Sequence, residues 1–120
     1  MRHVFLIAMI VVAMIGMTVP SAFAYTITDD ATGGDCSTIG TWDSASRTCT
    51  FTSDVSEEVV VGSNYITLDG NSHTIDIGAT SYGDVCSGGD WTDGISLDTK
   101  TNVVIKNFII KNSCYGIFFT

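Results

Sequence analysis

Asp93-Gly94-Ile95-Ser96-Leu97 and Tyr115-Gly116-Ile117-Phe118-Phe119 share one pattern, x-Gly-Ile-x-apolar, with the glycines 22 positions apart. Little else in the chain restricts its fold as strongly. A fixed period of this length implies one supersecondary unit laid down repeatedly, each copy burying its apolar face against the next. Between the two copies runs Asn102-Val103-Val104-Ile105-Lys106-Asn107-Phe108-Ile109-Ile110-Lys111-Asn112, and Asn64–Ile75 echoes it. Setting Ile66 on Val103 puts Leu68 on Ile105, a spacing of 37, which exceeds 22 by 15. That surplus fits an insertion at about 79–93, rich in Gly, Ser and Asp and carrying Cys86.

Each run alternates. Ile66 and Leu68 point one way and Thr67 the other; Ile95 and Leu97 flank Ser96; Val103 and Ile105 flank Val104. A period of two is the strand period. Runs this short cannot form a sheet core singly, but stacked turns pile the inward residues into one apolar column. Asn and Gly between the runs suit tight corners, because both tolerate positive φ. An antiparallel sandwich is the competing architecture, and it has no reason to repeat at 22.

The chain opens with Arg2 and His3, an apolar run from Val4 to Ile15, then Gly16, Pro20 and Ala22-Phe23-Ala24. This is the layout of a secretory signal peptide cleaved after Ala24. Helical, the 16 residues from Val4 to Val19 would reach about 24 Å, short of a hydrocarbon core of roughly 30 Å. No membrane span is expected after cleavage. The whole chain has 120 residues with 13 acids against 5 Lys and Arg, a net charge of −8. Residues 25–120 keep Arg47, Lys100, Lys106 and Lys111 against all 13 acids. Nothing there would neutralise a run of phosphates, so nucleic acid is excluded as a partner, and so is a polybasic membrane patch.

Cys36, Cys49, Cys86 and Cys114 form an even set behind a signal peptide, which favours disulfides. Of the three possible pairings, Cys36–Cys49 and Cys86–Cys114 are expected. A β-hairpin turning at Asp43-Ser44-Ala45-Ser46 would bring the first pair together, and closing so short a loop is worth about 3 kcal/mol. A structural zinc site is the alternative, but zinc sites show close Cys pairs and this chain has none.

The stretch Ile66-Thr67-Leu68-Asp69-Gly70-Asn71-Ser72-His73-Thr74-Ile75, with Val103–Phe108 and Gly116-Ile117, resembles the right-handed parallel β-helix repeat superfamily, nearest its NosD-like and surface-protein branch. Cys36–Phe51 resembles the N-terminal entry segment of such proteins. The likeness spans roughly residues 35–119. It implies an all-β solenoid, and it leaves activity open, since the superfamily includes polysaccharide lyases, hydrolases, epimerases, adhesins and scaffolds.

These residues bear on several chemistries. Hydrolases of this fold use clustered carboxylates; here Asp90, Asp93 and Asp98 stand near one corner and Asp69 and Asp76 near another. Lysine proton acceptors of the lyase type would be Lys106 or Lys111, which read better as outward strand-end charges. Copper would need His, Met or free Cys, and residues 25–120 offer His73, no Met, and cysteines expected to be oxidised. Calcium would find oxygen ligands at Asp29, Asp30 and Asp35 or at Asp84, Asp90 and Asp93, though neither set matches a known loop pattern. Trp42, Tyr65, Tyr82, Trp91 and Tyr115 are candidates for stacking on sugar rings or for covering the core. No catalytic residue, cofactor or metal site is assigned.

The expected organisation is a signal-peptide helix at 1–24, a hairpin entry segment at 25–57, and the first two to three rungs of a β-helix at 58–120. Phe118-Phe119-Thr120 stops within an apolar strand, so missing C-terminal rungs or a partner docking on the edge are expected. The function expected is that of a secreted, cell-surface or periplasmic scaffold or binding module, with polysaccharide or a cell-surface component as partner. The alternative is the N-terminal part of a carbohydrate-active enzyme, its site on rungs absent from this chain.

Overall fold

A computed structural model describes residues 24–79, 86 and 91–120. The signal-peptide reading of 1–23, and the candidates Tyr82, Asp84 and Asp90, lie outside the described residues. The fold is mostly β with little helix. Its elements are β1 (Ala24–Ile27), α1 (Cys36–Ile39), β2 (Gly40–Asp43), β3 (Thr48–Phe51), β4 (Glu58–Val61), β5 (Thr67–Asp69), β6 (Thr74–Asp76), β7 (Ile95–Leu97), β8 (Val104–Lys106), β9 (Ile109–Lys111) and β10 (Ile117–Phe119).

The strands form three sheets, ordered β1-β4-β7-β10, β2-β3-β5-β8 and β6-β9. Every pairing is parallel except the β2–β3 hairpin. From β4 onward the chain visits the first, second and third sheet in turn, twice, and returns to the first at β10. Strands within 25–57 already join these sheets: β1 pairs with β4, β3 with β5, and Val55 bridges to Ile75.

The register carries the repeat. Ile95 pairs with Ile117 at a separation of 22. Thr48 pairs with Thr67 at a separation of 19, and Val55 with Ile75 at 20. Pairs that straddle the segment between β6 and β7 are longer: Leu68 with Ile105 is 37 apart, Ile75 with Ile110 is 35, and Val59 with Ile95 is 36. One insertion of about 15 residues accounts for all three, because only these pairs have that segment between their partners.

Alternation then decides what is buried. Val59, Val61 and Ile95 of the first sheet, Cys49, Phe51 and Leu68 of the second and Ile75 of the third are buried, with Ile27 and Ile66. Phe108 meets Phe51 edge-on at 4.8 Å between centroids, an arrangement that the ring quadrupoles favour. At the other end of the stack α1 buries Cys36 and Ile39 against this core. That one-turn helix was not foreseen, since four residues are too few to show a helical period.

Corners recur in layers. Tyr65 and Asn102, with φ of 60° and 56°, precede β5 and β8, which are neighbours in the second sheet. Asn107 and Asn112, with φ of 59° and 56°, end β8 and β9. Both disulfides have the expected pairing, Cys36–Cys49 across the hairpin base and Cys86–Cys114 from the insertion to the corner before β10. Two such bonds fit an oxidising, extracellular environment. No helix of the described residues is long and apolar enough to cross a membrane. β8, β9 and β10 each end their sheet, so each has one unpaired edge, and Val104, Ile109, Ile117 and Phe119 are exposed there.

Candidate functional site

Most carboxylates singled out in the sequence are occupied by the backbone that bears them. Asp30 accepts from the Thr28 hydroxyl, the Thr32 amide and hydroxyl and the Gly34 amide, which hold its carboxyl far below the usual range. Asp35 accepts from the Thr26 amide, and Asp29 pairs with Arg47 at 3.1 Å. These lone pairs face donors of the chain itself, and among the described residues no group of three His, Cys, Asp or Glu is placed to hold a metal.

Asp69 and Asp76 end β5 and β6 and belong to different sheets, so they do not form one corner. Each is answered by the Lys-Asn pair one layer on. Asn107 Nδ2 donates to Asp69 at 2.9 Å and Lys106 Nζ lies 3.5 Å away. Asn112 Nδ2 donates to Asp76 at 2.8 Å and Lys111 Nζ lies 3.4 Å away. The amides come first among the causes that lower both carboxyls, with smaller contributions from the lysines. The lysines are exposed strand-end charges, as expected. His73 Nδ1 sits 3.1 Å from Asp54, and every cysteine sulfur is in a disulfide, so among the described residues no His, Met or free Cys is grouped as copper ligands.

Asp93 and Asp98 also fail to share a corner. They stand before and after β7, and an extended strand holds its ends apart. Asp98 meets the Thr120 hydroxyl. Asp93 is different: it is buried, accepts from the Tyr115 amide at 3.3 Å, and burial pushes its carboxyl up.

Tyr115, whose amide meets Asp93, belongs to a cluster of three rings. Trp91 and Tyr115 lie nearly parallel, 8° between planes and 6.0 Å between centroids. Phe118 is 5.5 Å from Tyr115. All three are exposed, Trp91 by 52%, Tyr115 by 42% and Phe118 by 36%. The parallel ladder fixes this arrangement. The Cys114 amide donates to Thr92 and the Gly94 amide to Tyr115, so the corners before β7 and β10 run side by side. The Cys86–Cys114 bond anchors the insertion at the same corner. Trp42, by contrast, packs on the core with its indole N–H on the Asp30 carbonyl, and Tyr65 sits at a corner beside Arg47.

Two glutamates that the sequence reading passed over stand in the adjoining layer. Glu58 opens β4, whose Val59 amide donates to Gly94. Burial pushes its carboxyl up, the Ser96 hydroxyl pulls it back, and Asp93 adds to the rise. Glu57 stands two positions before Val59, as Asp93 stands two before Ile95 and Tyr115 two before Ile117. Its Oε2 is buried with no hydrogen-bond partner among the described residues. Continuing the x-Gly-Ile-x alignment up one layer through Val59 would have found both.

Compared with known proteins, the chain matches no family model, no curated protein and no solved structure.

Proposed function

We propose that this chain is an exported, non-enzymatic protein whose strands are the first coils of a right-handed parallel β-helix, and that it acts at the cell surface or in the periplasm as a scaffold that binds carbohydrate. The cyclic visiting of three sheets and the separations near 20 support the coil, and right-handed crossover is the rule for parallel connections. The signal-peptide layout and the disulfides support export.

The observation that carries binding is the Trp91-Tyr115-Phe118 cluster, three exposed rings beside buried or half-buried carboxylates. Aromatic faces stack on the C–H faces of sugar rings, and flanking carboxylates accept their hydroxyls; a few placed polar groups against an apolar wall is the usual make-up of such a site. Non-enzymatic action is proposed because Asp30, Asp69 and Asp76 are committed to structure. The open edges of β8, β9 and β10 are proposed to take a further layer of parallel strands.

Retention on a panel of polysaccharides in native affinity electrophoresis tests the binding proposal. The expected result is retardation by at least one glycan, lost in Trp91→Ala and Tyr115→Ala with the circular dichroism spectrum unchanged. Retardation by none, or equal retardation of both variants, would overturn it.

A further inference from the structure

The open layer carries charge of one sign, and its register restricts what can lie on it. We infer that the free edges of β8 and β9 take a coil of a partner polypeptide whose strands read apolar-then-acidic, the chemistry of Leu68-Asp69 and Ile75-Asp76, added in parallel so that its acids stand over Lys106 and Lys111. This rests on the reading above that a further layer of parallel strands covers those edges.

All 13 acids precede residue 99, and residues 99–120 hold Lys100, Lys106 and Lys111 with no acid. In the second sheet Thr50, Asp69 and Lys106 occupy successive layers of one column; in the third, Lys111 follows Asp76. Each column ends on a lysine with its acid on one side only, Asp69 at 3.5 Å and Asp76 at 3.4 Å, and both lysine side chains are half exposed. The next residue of either column would stand one strand spacing away, about 4.8 Å. An acid there attracts the ammonium; a cation there repels it, as like charges directly opposite do in a sheet. The columns alongside read Cys49, Leu68, Ile105 and Ile75, Ile110. Ile105 and Ile110 pack against the core but are only partly buried, so an apolar residue is wanted before each acid. The unpaired amides and carbonyls of the edges supply the remaining bonds, as in other cases of strand addition.

A second copy of this chain fits less well. On the β4 side of β1 the Ile27 carbonyl accepts from the Gly62 amide; on the other side Asp35 accepts from the Thr26 amide with its carboxylate and donates its own amide to the Thr26 carbonyl. That outer edge is closed to a strand, so copies do not continue the first sheet head to tail. Set end to end, two open layers would oppose three lysines with three lysines, leaving only the unregistered association that bare edges give.

Fluorescence anisotropy of the secreted chain with a labelled synthetic peptide of the sequence Asn64–Asp76 tests this, against the same peptide carrying Asp69→Lys and Asp76→Lys. The acidic peptide should bind at least about tenfold more tightly at low salt, and the difference should shrink at high salt. The chain variant Lys106→Gln with Lys111→Gln should lose the preference, and Lys106→Glu with Lys111→Glu should prefer the lysine peptide. Equal binding of both peptides by the parent would overturn the charge rule and leave strand addition standing. Binding of neither would overturn the inference; if the chain also stays monomeric at high concentration, the reading of a further layer falls with it. A discrete dimer that the acidic peptide does not dissociate would overturn the inference in favour of a second copy.

Discussion

Asn107 does two jobs that a single substitution can separate. Its backbone is left-handed at φ 59°, and its amide holds the Asp69 carboxylate of the layer before. Ala at this position meets a left-handed penalty of about 1–2 kcal/mol, whereas Gly adopts the conformation freely. Both lose the amide. Asn107→Ala should therefore unfold at a lower urea midpoint than Asn107→Gly, with both below the parent; the reverse order would show that the corner is not strained. The corner asparagines were legible as turn formers from their spacing. That they also serve as donors to carboxylates 36 and 38 positions away was not, because the insertion between β6 and β7 hides which Asp lies over which Asn.

At the scale of the element, the repeated Gly-Ile is explained by one close approach. A Cβ on Gly94 would lie 2.6 Å from the Gly116 carbonyl oxygen and collide with the Ile110 side chain. A Cβ on Gly116 would meet nothing within 4 Å, since β10 ends its sheet. Gly94→Ala should thus cost more than about 2 kcal/mol in urea unfolding, the range of a forced core clash, while Gly116→Ala changes stability by less than about 0.5 kcal/mol. If a further strand layer covers β10, the two substitutions should become comparable, so the pair also reports on the cover. The entry segment shows the limit of reading by element. Its hairpin was expected from Cys36 and Cys49 and is present, but β1 gave no signal, because Ala24-Tyr25-Thr26-Ile27 is too short to place without its partner β4.

For the whole molecule, two sets of carboxyls pull in opposite directions with pH. Asp43, Asp54, Asp69 and Asp76 are held below the ordinary value of 3.8 by hydrogen bonds, led by Ser46, the Thr74 amide, Asn107 and Asn112 respectively. Near and below that value the unfolded chain binds more protons than the folded one, so this stability is present above it and lost as pH falls through the folded values. Glu58 and Asp93 are raised by burial above 4.5 and 3.8. There the folded chain binds more protons, so stability grows as pH falls toward those values. Urea unfolding across pH should show a shallow rise on acidification from neutrality and then a fall below about 4; a monotonic fall from pH 7 would mean that the buried pair contributes nothing. The open layer has its own consequence. Phe119 is 72% exposed and Ile109 55%, beside unpaired strand edges, a known template for association. The isolated chain should associate with rising concentration in light scattering, and Ile109→Lys with Phe119→Lys should keep it monomeric. A parent that stays monomeric at high concentration would remove the need for a cover.

Periodicity was sufficient for two of the register matches, Leu68 over Ile105 and Ile95 over Ile117, and for the insertion between β6 and β7, because stacking requires equivalent residues to fall at equal chain intervals plus whole inserted segments; β1 and β4 had no such repeat to reveal them. Cysteine parity pointed to disulfides, and the hairpin expected between Cys36 and Cys49 chose among the three pairings. The candidate site was only half visible: Trp91 and Tyr115 stood out as residues, but their stacking, the burial of Asp93 and the nearness of Glu58 to it were decided in three dimensions. In the first sheet, neighbouring layers bring together residues 22 to 36 positions apart. Whether a carboxylate there faces a backbone donor or is left without one depends on a few ångströms of corner geometry, a quantity that no linear pattern carries.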